Sequence, residues 1–144
     1  MLFGRSYLFG AVIGSILTAS SPATLAAQSL KSIRAQEAEE QTLDSEIEFT
    51  NSVCGTSISA TINWRSASDW PEEDSLADAC DDALGALEAI CRAPGGQSKA
   101  SSISSFLCEG DGSGPSLSGG TLSYGASPGE SGFADTKDYL EGAL

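Results

Sequence analysis

Histidine is missing from the chain, and bases are few. Seven Lys and Arg face twenty Asp and Glu, a formal charge of −13 over 144 residues. Without histidine there is no Ser-His-Asp triad, no imidazole metal ligand and no ordinary near-neutral proton shuttle. With so few bases, a nucleic-acid backbone would be repelled, so no nucleic-acid partner is expected. Two motif classes are missing as well. No serine stands three before a lysine, and Gly95-Gly96-Gln97-Ser98-Lys99 does not match a phosphate loop. No C-x-x-C pair occurs, which argues against a thioredoxin-type redox site or a zinc ribbon. No repeat of solenoid or propeller period is visible.

What is present begins with a leader. Arg5 precedes an uncharged apolar run, Tyr7 to Ala19, and Pro22 ends it. Thr24-Leu25-Ala26 offers a small-residue cleavage site, so residues 1–26 read as a secretory signal peptide, with Ala27 as an alternative end. The run is shorter than the ~20 residues of a membrane-spanning helix, and no second candidate follows it. Cleavage removes one base and no acid, leaving a still more acidic chain of periplasmic or secreted destination.

Export gives meaning to the cysteines. Cys54, Cys80, Cys91 and Cys108 are an even set in a small exported chain, which points to two structural disulfides. They supplement the modest core that a domain of this size can bury.

Residues 27–48 read as an acidic tail or frayed helix, dominated by Glu37, Glu39 and Glu40. Residues 49–144 read as one domain. Cys54, Ile58, Ala60, Ile62 and Trp64 alternate with polar residues, so a strand is expected over 52–65 with Cys54 inward. A helix is expected over 71–92, opened by Pro71 and Glu72-Glu73-Asp74 and stopped by Pro94-Gly95-Gly96. Its apolar positions, from Leu76 to Cys91, keep the 3.6-residue period. A second strand is expected over 101–109, a loop over 110–120, and a third strand from Leu117 and Thr121 to Tyr124. Phe133, Thr136, Leu140 and Leu144 mark a short C-terminal helix. The order β-α-β-β-α implies an α+β fold, a sheet of about three strands with helices on one face.

Connectivity follows in part from this layout. Cys80 and Cys91 share a helix face but stand about 16 Å apart along it, too far to bond. A helix returning over the first strand brings Cys91 to Cys54. If the second strand is parallel to the first, Cys108 meets Cys80. The pairing 54–80 with 91–108 stays open.

Three features invite a functional interpretation. Asp74, Asp78, Asp81, Asp82 and Glu88 form a stripe on the expected outer face of the helix, without a base among them. Acids repeating at i, i+4 repel one another, so the stripe is either a docking surface for a cationic partner or a solvated face. Glu109-Gly110-Asp111-Gly112-Ser113-Gly114 resembles a cation-binding turn, but Pro115 and Leu122 fall where an EF-hand needs ligands. No metal or other cofactor is therefore expected. Trp64 and Trp70 flank the strand-to-helix connection, as core residues or as an aromatic rim.

The expected function is non-catalytic: an exported binding protein whose partner is another exported protein of cationic character. One concrete form is an inhibitor or immunity-type partner of a cationic cell-wall hydrolase. The alternatives are a carboxylate-dependent hydrolase acting on a cell-envelope substrate, and a structural envelope protein without a discrete ligand.

Overall fold

The structure, a computed structural model, describes residues 22–144. Arg5 and the apolar run that were expected to form a leader lie outside the described residues. The fold is α+β: one four-stranded sheet carries its helices on one face.

Helix α1 runs over Pro22–Cys54. The acidic segment 27–48, expected as a tail or frayed helix, is therefore continuous helix, and so are residues 49–54. Leu43, Ile47, Thr50 and Cys54 recur at three- and four-residue spacing, and all four are buried. That stripe anchors the C-terminal half of α1 to the domain. The helix stops at Gly55, whose φ of +66° is open to glycine at little steric cost, and whose N–H donates to the Asn51 carbonyl. The Asn51 side chain then organises the exit. Its Oδ1 accepts from the Ile58 N–H and the Thr56 hydroxyl, and its Nδ2 donates to the Ile58 carbonyl.

The expected strand over 52–65 shrinks accordingly to β1, Ser59–Ile62. Cys54 points inward, but from a helix end. The alternation of Cys54, Ile58 and Trp64 fits a period of two by coincidence, because a helix, a turn and a 3-10 segment follow one another there. Trp64–Ala67 is that 3-10 turn.

Helix α2 spans Leu76–Arg92. It starts later than Pro71, because Ser75 caps it: the Ser75 hydroxyl accepts the Asp78 N–H at 3.1 Å. Leu76, Cys80, Leu84, Leu87 and Cys91 are all buried. α2 ends at Arg92, as expected from Pro94-Gly95-Gly96, and the chain then re-enters helix as α3, Gly96–Ala100.

Strands β2 (Ser105–Glu109), β3 (Gly114–Ser118) and β4 (Thr121–Gly125) complete the sheet in the order β1-β2-β4-β3. β1 and β4 both run parallel to β2, while β3 and β4 pair antiparallel. The expected loop over 110–120 thus contains the fourth strand. Its composition, Gly-Pro-Ser-Leu-Ser, hides it, and Pro115 is tolerated because β3 is an edge. Phe106, Cys108, Leu122 and Tyr124 form the buried face of the sheet. Their outward neighbours are small or polar apart from Leu107. Helix α4, Phe133–Ala143, closes the chain and buries Thr136 and Leu140.

Two disulfides cross-link the fold. Cys54 bonds Cys91, joining the ends of α1 and α2, and Cys80 bonds Cys108, joining α2 to β2. The parallel β1–β2 pairing delivers Cys108 to the start of α2.

Candidate functional site

Helix α2 is the central helix of the fold. α1 packs along one side of it, α4 along another, and the sheet lies beneath. Of its seventeen residues only Asp78 and Arg92 are exposed. The acidic stripe expected on its outer face is therefore divided among internal tasks. Glu88 is 6% exposed and points into the α1 contact, not into water. Its Oε1 accepts the Thr50 hydroxyl at 2.9 Å, and its Oε2 meets the Arg92 guanidinium at 3.2 Å. A buried carboxylate needs such partners, and here it has both. Asp82 is half-buried and accepts the Gly132 N–H at 3.1 Å, which holds the N-terminus of α4. Asp74 lies half-buried in the turn before α2. The sequence pattern missed this because it shows which positions of α2 are apolar but not that two other helices cover the polar ones.

Asp81 faces Glu46 of α1. Burial pushes its pKa from 3.8 up to about 6, aided by the charge of Glu46 and a hydrogen bond to it, then by Glu88 and Asp82. The folded protein thus holds a proton that the unfolded chain releases near 3.8. The stabilisation from that proton is complete below this value and is lost as pH rises through about 6. Asp81→Asn removes the ionisation. It is expected to raise stability at pH 7.5 by about 1 kcal/mol, a figure discounted for the half-buried position. Urea unfolding of both proteins at pH 4 and 7.5 checks this. The gain should vanish at pH 4, and an equal gain at both would refute the titration.

A row of acids that does face water lies on α1. Glu37, Glu40, Asp44 and Glu48 recur at spacings of three and four, and all are exposed. No Lys or Arg occurs between Arg34 and Arg65. Their neighbour Glu39 turns the other way and accepts the Ala77 N–H at 3.0 Å, so α1 helps to cap α2. Read as an acidic tail or frayed helix, residues 27–48 offered no site. The signal that could have found one is the spacing of Leu43, Ile47, Thr50 and Cys54, followed by Asn51 and Gly55 as a helix stop.

On the inner side of α1 lies an open groove of about 670 Å³. Lys31, Ala35 and Glu39 form one wall, and the segment from Trp64 to Leu76 forms the other. Both tryptophans line it and are partly buried. Trp64 Nε1 donates to Glu40 Oε1 at 3.2 Å, and Trp70 Nε1 donates to the Gly110 carbonyl at 2.9 Å. Gly110 must be glycine there, because a Cβ would stand 2.6 Å from the Ala67 Cβ. The Glu109–Gly114 turn therefore seats Trp70. Asp111 in the same turn accepts the Ser113 N–H, and its bonds to the Ser113 hydroxyl and N–H lower its pKa. Among the described residues, no group of three or more His, Cys, Asp or Glu is placed to hold a metal ion. No described helix is long and apolar enough to cross a membrane.

Comparison with protein-family models, curated proteins and solved structures finds no match for this chain.

Proposed function

We propose that the protein is an exported, non-catalytic binding module that engages a cationic partner through the outer face of α1. One observation carries this proposal: Glu37, Glu40, Asp44 and Glu48 stand exposed in a row without an intervening base. Like charges at i, i+4 weaken a helix by a few tenths of a kcal/mol per pair, a standing cost that a cationic partner would relieve. Two disulfides and the leader support a destination outside the reducing cytoplasm. Cleavage after Ala26 would leave α1 from residue 27, with its acidic face complete. Neutralising a cationic cell-wall hydrolase remains the concrete version of this function.

Asp81 and Glu46 are the observation that favours the alternative, a carboxylate hydrolase, since a carboxyl titrating near 6 can serve as a general acid. Their position speaks against it. They face each other between two packed helices, with Glu88 and Thr50 behind them, and neither lines the groove.

Capture from envelope extract at low and high salt, with the parent protein and the variant Glu37→Gln/Asp44→Asn/Glu48→Gln, which leaves Glu40 bonded to Trp64, tests the proposal. A partner released at high salt and bound about tenfold more weakly by the variant is the expected result. The variant removes repulsion within α1, so its helix should not be weakened. A partner held equally by both proteins would overturn the assignment.

A further inference from the structure

We propose that the groove between α1 and the Trp64–Leu76 segment seats a basic side chain of a partner peptide, its aliphatic stem along Trp64 and Trp70 and its charge among Glu39, Glu72 and Asp74. This rests on the proposal of a cationic partner and names the chemistry by which that partner is held.

Three properties of the groove point to this occupant. The first is size. A volume of about 670 Å³ falls within the range of small-ligand sites and admits a long side chain with its flanking backbone. The second is the wall. Both indole N–H groups are already bonded inside the protein, so the ring surfaces that line the groove offer apolar contact and no free donor. Lysine and arginine match such a surface, because their stems are apolar and their cations are attracted to indole rings. The third is charge. Glu39, Glu72 and Asp74 line the groove against the single base Lys31. An acidic or neutral apolar ligand would leave Glu72 and Asp74 facing it with Lys31 alone to offset them. A second copy of this chain, which carries the same acidic excess, is disfavoured for the same reason.

The site is also prepared in advance. Trp70 is held by its Nε1–H bond to the Gly110 carbonyl, an approach that the missing Cβ of Gly110 permits. Glu39 is fixed by the Ala77 N–H that it caps. The outer face of the same helix carries Glu37, Glu40, Asp44 and Glu48. A basic segment crossing α1 would therefore meet carboxylates on the outside and again in the groove.

Tryptophan fluorescence and calorimetry of the oxidised protein test this with two capped peptides, one alternating Lys and Leu and its twin alternating Glu and Leu. The lysine peptide should bind and shift the tryptophan emission, and the glutamate twin should do neither. Glu72→Gln/Asp74→Asn should weaken the lysine peptide about fivefold or more and leave the unfolding midpoint unchanged. Binding without an emission shift, or binding indifferent to the Glu72/Asp74 variant, would overturn the groove assignment. If that binding were instead lost in the α1 outer-face variant, the wider proposal of a cationic partner would stand. Equal binding of both peptides would also refute the groove assignment. Failure of the lysine peptide to bind at all would bring down both.

Discussion

Replacing Cys80 and Cys108 together by alanine is expected to destabilise the protein by about 3–4 kcal/mol, in the chain-entropy model. For a domain of this size that lowers the melting temperature by on the order of 10–15 °C. The bond spans 28 residues of sequence and joins α2 to β2, the one disulfide between the helical layer and the sheet. Cys80 and Cys108 are fully buried, so the lost sulfurs also leave space that the core must fill. Removing Cys54 and Cys91, which are 37 apart, should cost about the same, because loop-closure entropy grows only with the logarithm of length. Thermal unfolding of each double variant by circular dichroism decides the matter. A loss below about 1 kcal/mol in either would mean that the unfolded chain is already constrained there.

Two adjacent glycines should respond very differently to alanine. At Gly96 a Cβ would stand 1.8 Å from the Ile90 carbonyl oxygen and 3.0 Å from the Cys91 Cα, both backbone. Only a shift of α3 away from the end of α2 could relieve this contact. Gly96→Ala is therefore expected to cost about 3 kcal/mol. Gly95 has a left-handed φ of +77° and nothing within 4 Å of its Cβ position, so Gly95→Ala meets conformational strain alone, about 1 kcal/mol. Denaturant midpoints of the two variants measure the difference. Equal and small losses would show that α3 is not seated against α2 as described.

Much of the layout was legible in sequence, for identifiable reasons. The apolar period from Leu76 to Cys91 reports α2 because a helix with buried positions must repeat them near 3.6 residues. The C-terminal helix shows itself in the same way through Thr136 and Leu140. What was not legible has equally plain causes. α1 hid behind its acids, since Glu37, Glu39 and Glu40 dominate the stretch just before its buried Leu43 and Ile47. β3 hid behind glycine, proline and serine, and it exists because β4 offers it an edge to pair with. Single-residue signals that look decisive, such as Pro71 before a run of acids, lost to a better cap at Ser75.

The candidate site divides along the same line. Composition alone established an acidic protein with four cysteines and no histidine, because these are counts along one chain. Which acids face water was decided by tertiary structure. Asp82 and Glu88 follow the same helical spacing as Asp78, yet one caps α4 and the other is buried under α1. The free acidic face passed to α1, and the groove beside it formed from residues far apart in sequence. Periodicity records which side of a helix is apolar. It holds no record of what packs against the polar side, because burial is a property of neighbours that the chain brings together only by folding.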